Sequence, residues 1–146
     1  MGVVSGAIGT GSALLDTSVV IALTQEGLDI DVSGFERLMV SSVTYSELRL
    51  GIACARDAET AMTRSTALEE ISSLFGEGLP FDDAAAQHYG RILQTVVRRR
   101  GQPRAHTGDR MIAAIAASHG LPLLTLNGGD LNGLDAHLRV IDLGAV

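Results

Sequence analysis

Ser12-Ala13-Leu14-Leu15-Asp16-Thr17-Ser18-Val19-Val20-Ile21-Ala22-Leu23 is the stretch on which the fold turns. The apolar run up to Leu15 reads as a short buried strand, and Val19, Val20, Ile21 and Leu23 continue into a helix that stops near Gly27. Asp16 stands at the junction. A carboxylate directly after Ala-Leu-Leu is partly buried and costs on the order of several kcal/mol if left without a partner. It must therefore cap the following helix or hold something else.

The same strand-to-helix alternation runs down the chain. Residues 38–40 form a second apolar run, followed by a Ser/Thr-rich turn and a helix over about 43–55. Asp57 caps a further helix to about Leu74, with Met62, Leu68, Ile71 and Phe75 near helical spacing, so the two helices form a hairpin. Asp82 or Asp83 caps a helix whose stripe is Ala85, Tyr89, Ile92 and Val96, and Gly101 with Pro103 ends it. Thr107 caps the next helix, which closes at Gly120; residues 123–126 and 140–143 read as two more strands. Such alternation predicts an α/β fold with a central, mainly parallel sheet flanked by helices on both faces, a three-layer α/β/α arrangement. One domain over residues 12–146 follows, preceded by a loosely ordered leader, 1–11, and there is no internal repeat.

Composition narrows the function. All 11 basic residues are Arg, and the missing Lys excludes a Walker A phosphate loop, a pyridoxal Schiff base and the kinase ion pair. A net charge of −6 opposes indiscriminate nucleic-acid binding, so any RNA contact must be local. The lone cysteine, Cys54, supports neither a disulfide framework nor a thiolate metal site and fits a reducing, cytoplasmic setting. Residues 1–23 carry one charge, but they lack a basic start and place Asp16 inside the apolar stretch, so neither an export signal nor a membrane span is expected.

In open parallel sheets, ligands sit outside the carboxyl ends of the strands. Asp16 ends the first strand, Glu47 lies in the turns after the second, Asp109 opens a helix leading to another, and Asp130 follows that strand. Each has a structural explanation. Thr44-Tyr45-Ser46-Glu47 is a capping box, Asp109 suits a helix dipole two residues after Thr107, and Asp130 belongs to an Asn-Gly-Gly-Asp turn. Together they carry more weight. Four acids from separate segments map to one sheet edge, with Arg110 the one basic residue adjoining them. Clustered carboxylates repel one another, and a hard divalent cation relieves the repulsion. Oxygen donors without a Cys or His cluster favour Mg²⁺ or Mn²⁺ over Zn²⁺, a centre suited to phosphodiester hydrolysis.

Four segments then resemble a known family. Leu14-Leu15-Asp16-Thr17-Ser18-Val19, Ser41-Ser42-Val43-Thr44-Tyr45-Ser46-Glu47-Leu48-Arg49-Leu50-Gly51, His106-Thr107-Gly108-Asp109-Arg110-Met111-Ile112-Ala113-Ala114 and Leu123-Leu124-Thr125-Leu126-Asn127-Gly128-Gly129-Asp130-Leu131 are similar, in order and spacing, to PIN-domain nucleases of the VapC toxin type. The resemblance implies a PIN fold, Mg²⁺- or Mn²⁺-dependent endoribonuclease activity that inhibits translation and growth, a cognate VapB-like antitoxin and a toxin homodimer. It puts the metal-binding and catalytic acids on Asp16, Glu47, Asp109 and Asp130. Asp130 precedes Leu131 where the family has Phe, which leaves Asn127 as an alternative fourth ligand. Thr17 and Ser18 are supporting hydroxyls, and transfer RNA is the substrate that analogy suggests.

Arg98, Arg99, Arg100 and Arg104 form the one basic concentration, read either as favourable charge at a helix C-terminus or as a phosphate-contacting rim. His88, His106, His119 and His137 show no ligand spacing and read as ordinary helix or loop residues. Two other functions are compatible with such a fold. One is a non-catalytic PIN-like module acting through a partner complex, for instance on promoter DNA, against which the intact acids argue. The other is a phosphomonoester hydrolase, disfavoured because Asp16-Thr17-Ser18 lacks the second Asp of an Asp-x-Asp nucleophile.

Overall fold

β1 (Ser12–Leu15) is buried along its whole length, and the rest of the molecule is arranged around it. In a computed structural model that describes residues 11–25 and 30–144, β1 pairs in parallel with β2 (Arg37–Met39) on one side and β3 (Leu123–Thr125) on the other, and β4 (Val140–Asp142) pairs with β3. The order is β2-β1-β3-β4, so every strand runs the same way. Leu14 and Leu123 project into one apolar cluster; Ala13, Leu15 and Leu124 project into another. This two-sided burial is why β1 reads as an unbroken apolar run and not as an alternating one.

The helices divide between the two faces as the three-layer reading requires. α4 (Asp83–Arg98) and α5 (Thr107–His119) cover the Leu14 face with Ala85, Ile92, Val96 and the buried run Ile112-Ala113-Ala114-Ile115-Ala116. α1 (Thr17–Leu23) and α3 (Ala58–Phe75) cover the Leu15 face with Val19, Val20 and Ile71. α2 (Ser42–Ala53) pairs with α3 as a hairpin, tied where Tyr45 Oη donates to the Gly76 carbonyl. Within α3, Ile71 is buried and Phe75 packs on the same cluster, but Met62 is 72% exposed and lies outside the expected stripe. No helix among the described residues is long and apolar enough to cross a membrane.

Several local expectations are corrected. α1 ends at Leu23, short of the expected stop; Gly27 itself, like residues 1–10 of the expected leader, lies outside the described residues. The Thr44–Glu47 capping box does not form, because the chain turns earlier and Ser41 takes the cap, its hydroxyl accepting from Thr44 N–H at 3.1 Å. Glu47 is thereby released from a capping role. Asp57 and Asp82 cap α3 and α4 as expected. Thr107 does not cap α5. The cap position is His106, which is left-handed (φ 53°) and makes no side-chain cap, while the Thr107 hydroxyl donates back to the Arg104 carbonyl.

The end of α4 is also unlike its reading. Gly101 was the expected stop, yet the left-handed residue is Arg100 (φ 61°), with Arg100 N–H bonded to the Val97 carbonyl and Gly101 N–H to the Val96 carbonyl. That is a Schellman ending with Arg where glycine is usual. Gly101 serves a different need, since a Cβ there would lie 2.9 Å from Val96 Cγ1. The left-handed region costs a residue with a Cβ about 1–2 kcal/mol, and glycine's greater unfolded-state entropy takes back about 0.5–1 kcal/mol. Arg100→Gly should therefore stabilise the fold by about 0.5–1 kcal/mol, read as a higher urea midpoint at unchanged m value. A lower midpoint would mean that the Arg100 side chain outweighs the backbone strain.

Candidate metal centre

Asp16 is set by the sheet before it is set by its own side chain. Its N–H donates to the Leu124 carbonyl, extending the β1–β3 ladder by one residue, and its carbonyl accepts from Val20 N–H in the first turn of α1. Oδ1 accepts from Val19 N–H at 3.2 Å and from the Ser18 hydroxyl at 2.5 Å. The Ser18 oxygen in turn accepts from Leu126 N–H, tying the end of β3 to the same point. Asp16 is both helix cap and site residue. With the capping bonds all on Oδ1, its second oxygen has no hydrogen bond among the described residues although the residue is only 4% exposed.

Glu47 is held from α1. Thr17 Oγ1 donates to Glu47 Oε1 at 2.6 Å, which spends its one proton, so the Thr44 hydroxyl 3.1 Å away must donate to Thr17. Ser41 lies behind Thr44, its hydroxyl donating across 3.4 Å. The result is a file of hydroxyls polarised toward one carboxylate, in which each bond strengthens the next. On its far side, Glu47 presses on the start of α5, where a Cβ on Gly108 would lie 2.7 Å from Oε2. Glycine at 108 is thus a matter of space for Glu47.

Asp109 occupies the third position of α5, whose fully buried run Ile112–Ala116 fixes the face the helix turns to the core. Its pKa is raised, first by burial and then by the charges of Asp16, Glu47 and Asp130. The other three expected acids thus all act on Asp109, though the four come from different elements. Asp130 is carried by a 3₁₀ turn, Gly128–Leu131, that Asp142 pins by accepting from Gly128 N–H at 3.0 Å. A Cβ on Gly128 would sit 2.5 Å from that same carboxylate, which accounts for the glycine. Asn127 contributes its carbonyl to Asp130 N–H, but its side-chain amide has no hydrogen bond among the described residues.

Two expectations about the surroundings fail. Arg110 adjoins the acids in sequence only; it is buried, and its guanidinium donates to the Gln102 carbonyl at 2.6 Å. His106, read as an ordinary loop residue, instead lies among them. Its Nδ1 is 3.7 Å from Asp109 Oδ2 and 4.0 Å from Asp130 Oδ2. Ligand atoms of His106, Asp109 and Asp130 all fall within 4.8 Å of one another, and Asp16 and Glu47 lie outside that tight trio. The signal for His106 was its spacing of three from Asp109, which puts both side chains at one helix end. The αL backbone that turns the ring toward the acids was not readable. Of the other histidines, His137 Nε2 pairs with the Thr95 hydroxyl at 2.7 Å, and burial lowers its pKa.

The donor set fits a hard divalent cation. The acids repel one another, none has an Arg partner among the described residues, and a bound cation would remove the penalty carried by Asp109. Arg98 donates to Thr95, and Arg99 lies against Gly133, three residues beyond Asp130. Part of the basic concentration is thus close to the turn that carries the fourth acid.

Comparison with known proteins follows the same lines. The family model described as "PIN domain" matches residues 13–135. "Ribonuclease VapC5" of Mycobacterium tuberculosis (strain ATCC 25618 / H37Rv) is 36% identical over 130 residues, covering 88% of this chain and 92% of that protein. The crystal structure of VapBC-5 from M. tuberculosis, a toxin–antitoxin family member, superposes with a TM-score of 0.74 at 31% identity, over 91% of this chain and 98% of that one. DNA-bound VapBC from Salmonella typhimurium gives 0.75 at 25% identity, over 90% and 98%. With the family model spanning most of its length and a relative this similar over nearly all of it, the chain belongs to the PIN domain family, in its VapC group.

Proposed function

We propose that the chain is an endoribonuclease serving as the toxin of a toxin–antitoxin pair, with Asp16, Glu47, Asp109 and Asp130 holding Mg²⁺ or Mn²⁺. The observation that carries this reading is the convergence of four carboxylates at the carboxyl edge of a parallel sheet without an Arg counter-charge among the described residues. A bound divalent cation supplies Lewis-acid polarisation of water and of the phosphate. The residues supply the rest. The Ser41-Thr44-Thr17 hydroxyl file fixes the Glu47 carboxylate, and Ser18 with Val19 N–H fixes Asp16, so neither must reorganise when substrate arrives. Hydrolysis by such a site leaves 5′-phosphate and 3′-hydroxyl ends, and transfer RNA is the substrate class that family analogy favours.

The acidic surface needs local help to hold RNA, and Arg98, Arg99, Arg100 and Arg104 are proposed as the phosphate-contacting rim, with Arg99 lying against Gly133 just beyond the Asp130 turn. A VapB-like antitoxin is the proposed partner, on the analogy of the complexed relatives. For its seat we favour a groove of about 670 Å³ between α1, α2 and α3 that includes Thr17, Ile21, Glu47, Leu48, Leu68 and Ile71, because occupying it would cover Glu47 and Thr17. The Salmonella relative is described as bound to DNA, so a second role is proposed for the assembled pair, binding promoter DNA without cleavage.

Three measurements test these assignments. Asp16→Ala or Asp109→Asn should abolish Mg²⁺- or Mn²⁺-dependent cleavage of total cellular RNA, at least about 100-fold, with the circular dichroism spectrum retained; cleavage surviving in both would remove the assignment. Gly108→Ala should push the Glu47 carboxylate out of place and weaken Mn²⁺ binding by calorimetry with little change in Tm, because the obstructed group is the end of a flexible side chain. Unchanged affinity would take Glu47 out of the ligand set. Replacing Arg98 and Arg99 together by Ala should reduce the slope of log K against log salt for single-stranded RNA by about 1.4, at ~0.7 for each of two lost phosphate contacts, and an unchanged slope would leave those residues a purely structural role.

A further inference from the structure

We propose that His106 is a nitrogen ligand of this centre, sharing one ion with Asp109 and Asp130 and tilting its preference from Mg²⁺ toward Mn²⁺ and other first-row transition ions. The inference rests on the metal-dependent reading above and departs from it in one respect, since the acids alone make an oxygen-only site that suits Mg²⁺ well.

The distances fit coordination better than they fit hydrogen bonding. Separations of 3.7 Å and 4.0 Å from Nδ1 to the two carboxylate oxygens are too long for N–H···O bonds. Two ligands each about 2.0–2.2 Å from a shared ion can stand anywhere up to about 4.3 Å apart. The three side chains are 35–43% exposed, open enough for an ion to enter. Nor is the imidazole needed by the fold, since His106 sits at the cap position of α5 without making a side-chain cap bond. It stays in the left-handed region (φ 53°, ψ 38°), where only a few side chains are tolerated, and that backbone leaves Nδ1 facing both carboxylates. The neighbouring acids come from different elements: Asp109 is three residues on in the same helix, and Asp130 arrives on the 3₁₀ turn that Asp142 pins. Imidazole nitrogen is a borderline donor that first-row transition ions bind well and Mg²⁺ takes up poorly.

The test uses the full chain loaded with Mn²⁺ and read by electron spin-echo envelope modulation. Wild type should show imidazole ¹⁴N modulation on the bound Mn²⁺, lost in His106→Ala and in His106→Asn, the second variant keeping a residue that accepts the left-handed backbone. Calorimetry should show Mn²⁺ affinity falling at least about tenfold in both variants and Mg²⁺ affinity falling less than about threefold. Bound Mn²⁺ without nitrogen modulation, or modulation that persists in both variants, overturns the role of His106 and leaves the carboxylate centre standing. Failure of wild type to take up Mn²⁺ at all, with Asp109→Asn behaving identically, overturns both.

Discussion

β1 must be buried on both faces and must still end in a carboxylate. Those two demands organise most of the molecule. Apolar packing from α4 and α5 on one side and α1 and α3 on the other gives the strand its position, and parallel pairing with β2 and β3 leaves its carboxyl end at the edge where the other chain crossings also arrive. An ion placed there without partners would be costly. Asp16 meets the cost locally, through Val19 N–H and the Ser18 hydroxyl on one oxygen, and so keeps the second oxygen for the site. Capping and ligation are often weighed as alternatives for such an acid. Here one side chain caps the helix through one oxygen and keeps the other for the proposed ligation, because a carboxylate has two.

The electrostatics of the site run against the stability of the isolated fold. A raised pKa at Asp109 means that its ionised form is disfavoured in the folded chain, by burial and by three neighbouring acids. Between the ordinary carboxylate value and the raised one, the folded state holds more proton than the unfolded, so this group's contribution to stability falls as pH rises through that window. The acids are thus retained at a cost that a cation would reverse. The hydroxyl file behind Glu47 and the Asp142 clamp on the Asp130 turn hold these groups together against their mutual repulsion. Glycines at 108 and 128 supply the room, each facing a carboxylate that any Cβ would meet.

Under the proposed function, an overall charge of −6 confines RNA contact to a small region. The cluster at the end of α4 is near enough to the Asp130 turn for Arg99 to lie against Gly133. The proposed basic rim beside an acidic centre would also limit non-specific retention, because most of the surface repels phosphate.

The order of strands and helices and the three-layer class were legible in the sequence, because apolar runs bounded by caps report burial directly, and strand ends pointed to the sheet edge where Asp16, Glu47 and Asp130 come to act on Asp109. Asp57 and Asp82 were readable as caps for the same local reason. What the sequence could not decide was whatever depended on groups far apart in the chain. Thr44 and Glu47 had the spacing of a capping box, but Ser41 took the cap and Thr17, 30 residues away, took Glu47. Arg110 neighbours Asp109 in sequence yet points to Gln102, while His106 turns toward the acids through a left-handed backbone that no periodicity encodes. Local hydrogen bonding and hydrophobic burial are written in short windows of residues. Which side chains meet across the sheet edge is set by packing, and only the tertiary structure decided it.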